Sequence, residues 1–162
     1  MKKYLALILA IVFAVTLFAA CGGNRTETYT YREFAITLPS DYTPCGDDMW
    51  SSDKEETDIR AYHYYISVRE GDWGIFPGSL EDMTKDYVED NHIEGELLKG
   101  EGDYYYILEE GEADEGPWTR LLLFYSAEGF WEVNFYSPSR SWAEVEEQWS
   151  SYIETIQFKD YN

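Results

Sequence analysis

The side chains that could carry chemistry are few in kind: two cysteines (Cys21 and Cys45), two histidines (His63 and His92), and 32 acidic groups against 12 basic ones. A thiolate and imidazole zinc site needs three or four such ligands at short spacing, and this set does not supply the pattern. The sequence contains no Gly-rich phosphate loop, nucleophile elbow or His-Glu-x-x-His helix. Cys45 with either histidine would make a nucleophile and a base. It stands instead in a Pro44-Cys45-Gly46 turn with no protease-like signature around it, and reads as a small, partly buried, inert residue. His63 falls inside an aromatic strand and reads as a packing or rim residue. His92 follows a helix end, where partial positive charge suits the dipole. The expectation is a protein that is not an enzyme.

The carboxylates cluster in two stretches, Asp47, Asp48 and Asp53 in one, and Glu109, Glu110, Glu112, Asp114 and Glu115 in the other. A hard cation such as Ca²⁺ takes ~6–8 oxygen ligands, which converging carboxylates provide. The Asp-x-Asp-x-Asp-Gly spacing of a calcium loop is absent, so both stretches read first as solvated, mutually repelling loops. No cofactor is expected, with a Ca²⁺-like ion held by Asp47, Asp48 and Asp53 as the alternative. A glycan-acting pair would need two carboxylates ~5–9.5 Å apart. Glu132, beside Trp131, is the single candidate, and alternation puts it on the polar side of its strand. Of the six tryptophans, Trp131, Trp142 and Trp149 fit core faces. Trp50, Trp73 and Trp118 sit near turns or strand starts, where an aromatic beside carboxylates forms either a recognition patch or a structural plug.

Charge narrows the partners. Without its first 20 residues, which hold Lys2 and Lys3 and no acid, the chain keeps 10 basic against 32 acidic groups, a net −22. Such a surface repels phosphate backbones, so nucleic acid is excluded, and it steers in basic or cationic molecules. The high aromatic content argues for a folded core despite the charge.

Residues 1–20 have the layout of an export signal: a charged start at Lys2 and Lys3, an uncharged run Tyr4–Ala20, and small residues at Ala19 and Ala20. The run Leu17-Phe18-Ala19-Ala20-Cys21-Gly22-Gly23 resembles a bacterial lipobox, with Phe18 where leucine is usual. The resemblance implies that Cys21 is diacylated and becomes the mature N-terminus. Two acyl chains at ~0.8 kcal/mol per buried CH₂ give a stable anchor. The short tether after Cys21 reaches about 20 Å when extended at ~3.3 Å per residue, which keeps the domain near the extracytoplasmic face of the cell membrane. With Cys21 lipidated, Cys45 has no disulfide partner.

Residues 29–162 read as one globular domain, behind a lipidated cysteine and tether at 21–28. Phe34, Ile36 and Leu38 alternate as one face of a strand that Pro39 ends, and Ile59–Arg69 alternates likewise. Thr43–Asp58 reads as a turn-rich acidic connection with Trp50 as its lone large apolar group. Ser79 is placed as an N-cap for a helix over Leu80–Asn91. Strands are expected at Ile93–Lys99, Asp103–Glu109 and Trp118–Ser126, with an acidic loop at Glu110–Gly116. Phe130–Ser137 pairs with the strand before it as a hairpin. Ser141 and Glu144 match a capping box ahead of an apolar stripe of Trp142, Val145, Trp149, Tyr152, Ile153 and Ile156, with Glu146, Glu147 and Glu154 mainly on the other side.

That order predicts an α+β domain: an antiparallel β-sheet of about six strands covered by two main helices. The opening Phe34-x-Ile-x-Leu-Pro-Ser-x-Tyr, the Ser79-Leu80-Glu81 helix start and the closing Ile156-x-Phe158 resemble PsbP-like domains, a family of extrinsic photosystem proteins and small bacterial lipoproteins. The resemblance implies a helix–sheet–helix sandwich and carries over no catalytic residue. The function expected is a membrane-anchored, extracytoplasmic lipoprotein that binds or assembles with a basic envelope protein or cationic ligand. The alternative is a solute or metal-ion binder, and a glycan-acting enzyme comes third.

Overall fold

A computed structural model describes residues 25–64, 79–114, 116–127 and 129–159. The leader, Cys21, Trp73, and the Ile66 and Val68 end of the second expected strand lie outside the described residues.

The chain opens with a hairpin of β1 (Thr26–Tyr31) and β2 (Phe34–Pro39), paired without interruption from Thr26↔Pro39 to Tyr31↔Phe34. The hairpin takes Thr26, Glu27 and Thr28, expected in the tether, into the sheet. Three further strands follow, β3 (Thr43–Pro44), β4 (Met49–Ser52) and β5 (Thr57–Tyr64). Helix α1 (Leu80–Asp90) precedes β6 (Leu98–Lys99), β7 (Tyr104–Ala113), β8 (Gly116–Ser126) and β9 (Phe130–Ser137). Helix α2 (Trp142–Ile153) and β10 (Gln157–Phe158) close the fold.

The strands form two antiparallel sheets, one of three in the order β1-β2-β10 and one of seven in the order β3-β4-β5-β9-β8-β7-β6. Alternation along the large sheet divides its side chains between two cores. Ile59, Ala61, Leu121, Leu123, Trp131, Val133 and Phe135 face α2 and the small sheet, and all are buried. Ile107, Leu122, Phe124 and Phe130 face the other way, against Leu80, Met83, Tyr87 and Val88 of α1. Leu121–Tyr125 is thus covered on both sides, as its unbroken apolar run requires.

Both helices are capped by their own sequence. The Asp82 carboxylate accepts the Ser79 backbone N–H at 3.1 Å and the Ser79 hydroxyl accepts from the Asp82 N–H at 3.3 Å. Glu144 accepts the Ser141 N–H at 2.8 Å, as the capping-box pattern predicts.

The fold class is as expected, an antiparallel α+β domain with two helices, but three segments differ. The Thr43–Asp58 connection contains the β3–β4 hairpin, and Trp50 is a core residue, only 2% exposed. Most of the acidic loop expected at Glu110–Gly116 is instead strand: β7 runs to Ala113 and pairs with β8 through Ala113↔Gly116. Cross-strand pairing outweighs the poor strand propensity of glutamate there. The Ile93–Lys99 strand shrinks to Leu98–Lys99, because β6 pairs only with Tyr105 and Tyr106.

Trp149 is fully buried beside Phe135, with ring centroids 5.5 Å apart, whereas Glu147 is exposed. Trp149→Ala should lower stability by ~3–5 kcal/mol, a large share of a domain's ~5–15 kcal/mol. Glu147→Ala should stay within about 0.5 kcal/mol of the parent. Urea denaturation of the chain lacking residues 1–21 measures both, and equal small effects would mean that α2 is not docked.

Candidate functional site

The register of β7 and β8 puts Tyr104, Tyr106 and Leu108 on the same face as Leu121, Leu123 and Tyr125. Helix α2 and the small sheet share the layer above that face. Seven strands at ~4.8 Å spacing span about 29 Å. A helix ~10 Å wide beside three strands covers about 20 Å. The β8 residues are therefore buried while Tyr104, Tyr106 and Leu108 stay half-buried, and a groove of about 630 Å³ opens between α2 and β7.

Residues of one helical stripe form the far wall: Trp142, Glu146, Ser150, Ile153 and Glu154. The start of α2 is tied to β7 by the Trp142 N–H, which donates to Glu110 Oε1 at 3.0 Å. The near wall is the β6–β7 turn, Gly100–Asp103, pressed onto the Tyr104 ring so closely that a Cβ at Gly100 would collide with it. Glycine at that position lets the turn carry Glu101 and Asp103 to the rim.

Four exposed carboxylates, Glu101, Asp103, Glu146 and Glu154, thus edge an aromatic floor, and none of them has an ion-pair partner among the described residues. Lys99 also borders the groove, but its ammonium lies 4.7 Å over the ring of Tyr105, which faces α1. Its charge is turned away from the rim acids. On the floor, burial pushes the Tyr125 phenol well above its ordinary range, with the neighbouring Tyr104 adding to the effect. Burial likewise raises Tyr104, followed by the influence of Tyr106 and Glu101. The lining holds neither histidine nor cysteine. This chemistry suits binding: ring faces attract cations, and unpaired carboxylates neutralise them.

The residues singled out in the sequence lie elsewhere. Asp47 and Asp53 are exposed at opposite ends of β4, and Asp48 accepts from Arg60 Nε at 3.3 Å. Among the described residues, no three His, Cys, Asp or Glu side chains converge as a metal site. Glu109 pairs with Arg120 at 3.3 Å, Glu110 caps α2, and Glu112 and Asp114 are exposed. Cys45 is exposed rather than partly buried, its thiol 3.6 Å from the Thr43 carbonyl oxygen. His63 stacks on Trp131 at 4.3 Å, a packing role. His92 is exposed beyond α1 with φ 54°. Trp50 is core, and Trp118 lies across Gly111, where a Cβ would strike the indole. Trp118 is half-buried on the β7–β8 ladder. Trp73 and Glu115 lie outside the described residues.

Glu132 corrects the polar-side reading of its strand. It faces α1 rather than solvent, is 4% exposed, and accepts the Tyr87 hydroxyl at 2.5 Å. Burial raises its pKa above the ordinary carboxylate range, opposed by the Tyr87 bond and by Arg120. The groove itself was missed because its parts had ordinary explanations: Tyr104 and Tyr106 within the strand expected at Asp103–Glu109, Glu146 and Glu154 as a solvated helix face. The available signal was the stripe Trp142, Glu146, Ser150, Ile153, which sets an acid into the margin of an apolar face.

No protein-family model and no curated protein matches the chain by sequence. Among solved structures it is similar to the solution structure of cyanobacterial PsbP (CyanoP) from Synechocystis sp. PCC 6803, with a TM-score of 0.52 and 12% identity over 86% of this chain and 95% of that one. A crystal structure from Bacteroides thetaiotaomicron VPI-5482 also has a TM-score of 0.52, at 17% identity. The alignment covers 85% of this chain and 50% of that longer one. At these identities the likeness is one of architecture, and the chain has the PsbP-like α+β fold.

The Glu132 environment makes a pH prediction. Its folded pKa is raised, so the site favours the protonated form, and its contribution to stability falls as pH rises through that raised value. Glu132→Gln, neutral at every pH, should be more stable than the parent at pH 8. The difference should vanish as pH falls below the ordinary glutamate range. Melting temperatures of both proteins from pH 4 to pH 8 read the gap. A gap independent of pH would remove Glu132 as its source.

Proposed function

We propose that the protein is a lipoprotein held on the extracytoplasmic face of the cell membrane through acylated Cys21, and that its PsbP-like domain is a non-catalytic binding module for a basic or cationic partner. The observation that carries the binding half is the groove: four carboxylates with no cation paired to them among the described residues, set around an aromatic floor. A net −22 on the mature chain adds long-range attraction for the same ligands. The anchoring half rests on the sequence of residues 1–23. Among the described residues no helix is long and apolar enough to cross a membrane.

Two measurements test the reading. In cells, the parent should fractionate with membranes, and Cys21→Ser should release the protein or stall its processing. Unchanged membrane association and mobility would refute the anchor. For binding, calorimetric titration with deca-arginine should show an interaction that weakens with salt. Replacing the four rim acids (Glu101→Gln, Asp103→Asn, Glu146→Gln, Glu154→Gln) should weaken it about tenfold or more, at ~0.3–1 kcal/mol per exposed pair. A variant with the same charge change elsewhere (Asp47→Asn, Asp53→Asn, Glu89→Gln, Asp90→Asn) should lose far less. Equal losses would mean that net charge, not the groove, does the binding.

A further inference from the structure

A strand at the edge of a sheet presents a row of N–H and C=O groups that invites another strand, and most of the edges here are blunted. In the large sheet, β3 is two residues long and holds Pro44, and β6 is two residues long and holds Lys99. Beyond β6, the open side of β7 carries Glu109, Glu110 and Glu112. In the small sheet, β10 is again two residues long. Strand β1 has none of these features. It runs six residues, pairs with β2 without a bulge and holds no proline or lysine, and Thr26, Glu27, Thr28 and Thr30 are exposed.

The phase of the β1–β2 ladder fixes what that edge presents. The Thr37 N–H donates to Thr155 Oγ1, away from β1, and the Ser40 N–H donates to the Arg25 carbonyl. Thr28↔Thr37 is therefore a pair without mutual backbone bonds, and by alternation so are Thr26↔Pro39 and Thr30↔Ala35. The N–H and C=O groups of Thr26, Thr28 and Thr30 thus point outward, with no hydrogen-bond partner among the described residues. The set is self-complementary. Turned about a two-fold axis at Thr28, a second β1 lies antiparallel with Thr28 opposite Thr28 and Thr26 opposite Thr30. The three pairs so formed exchange two bonds each, about six in all. Between them, Glu27 faces Tyr29 of the other copy, so the two carboxylates are not opposed. The threonine faces join as well, extending the 3.0 Å contact between the Thr28 and Thr37 hydroxyls across the seam.

Charge favours a second copy over a strand of another protein. With net −22 on the chain after its first 20 residues, two copies repel over most of their surfaces. Residues 25–33 are balanced, Arg25 and Arg32 against Glu27 and Glu33, so copies that meet there are repelled least and no charge selects a basic stranger. We propose that two copies of this chain pair through β1, edge to edge and antiparallel about Thr28, joining their three-stranded sheets into one of twice that width. The contact uses up the open edge of both copies, so it closes at two and does not grow into a fibre. Under the proposed anchor both copies can share one bilayer. Their Thr26 residues lie about 15 Å apart, four residues along neighbouring strands, and each tether from Cys21 reaches ~16 Å. The inference rests on neither the groove nor the anchor.

The test is disulfide trapping in whole cells, using the full chain with Cys45→Ser so that its exposed thiol is silent. Mild oxidation should link Thr28→Cys to itself at least about fivefold more than Thr26→Cys or Thr30→Cys alone. Co-expressing Thr26→Cys with Thr30→Cys should restore the link, because those positions face each other across the seam. The Cys45→Ser chain with no added cysteine reports any contribution from Cys21. Sedimentation of the full chain in density-matched detergent should give the mass of two chains. Thr28→Pro deletes an outward N–H and leaves the β1–β2 bonds in place, so it should weaken dimerisation about tenfold while circular dichroism stays unchanged. Should that variant fail to fold, Thr28→Lys, which sets two ammonium groups side by side at the seam, should have the same effect. A single-chain mass at every concentration, a dimer that a folded Thr28 variant leaves unchanged, or equal trapping at positions 26, 28 and 30 would overturn the proposal. Trapping of Thr28→Cys to a different protein and never to itself would overturn it in favour of a foreign strand.

Discussion

Phe34 lies between two indoles, 5.9 Å from Trp50 at 27° and 5.9 Å from Trp131 at 26°. The three rings come from β2, β4 and β9, so the stack joins the small sheet to both the outer and the central strands of the large one. His63 extends it on Trp131, and Phe158 of β10 closes on Phe34 at 5.8 Å. Each such ring buries ~150–250 Å² and gains further from offset stacking, so the stack helps hold the layers in register. Once β2 is fixed, β10 must pair with it through Gln157↔Ala35 and Phe158↔Phe34, and α2 is drawn to the same side. The Thr37 N–H, which donates to Thr155 Oγ1 at 2.9 Å, fastens the end of that helix.

The groove follows from this placement. With the small sheet seated over Trp50 and Trp131, α2 lies above β8 and β9 and does not reach across β7. Its Trp149 is spent on Phe135, and Trp142 is left half-buried at the edge. The tyrosines of β7 are thus flanked on their own face by Leu121, Leu123 and Tyr125 and only half-covered from above. A sheet wider than the layer that packs on it leaves a cleft at its margin.

Periodicity made the antiparallel sheet and both helices legible in the sequence, because Phe34–Leu38, Leu121–Tyr125 and the α2 stripe each bury a face that dictates the pattern. Their caps were legible for the same local reason. What escaped were features set by partners distant in sequence. Trp50 belongs to the core through Tyr29 of β1 and Phe34 of β2. Glu132 is buried because Tyr87, 45 residues earlier, brings a hydroxyl to it. Strand β7 extends through Glu110 and Glu112 because β8 pairs along its whole length. Glutamates in that stretch oppose strand by propensity, and only the ladder overrules them. The site lies in the same category: four carboxylates from a turn and a helix become neighbours only when α2 docks.

Glu154 shows how far that rim departs from what stability alone would select. It stands at the C-cap of α2, where the helix dipole presents partial negative charge, and no basic residue occupies the last turn. A carboxylate in that position is unfavourable, and a lysine or arginine there would be stabilising. It is also exposed and unpaired among the described residues, with Glu146 two turns back on the same groove. Two like charges on one helix edge, one of them against the dipole, raise the negative potential over the tyrosine floor. The same arrangement that weakens the helix end strengthens the field a cation meets there. Local rules broken without compensation inside the fold tend to mark places where the compensation comes from a ligand.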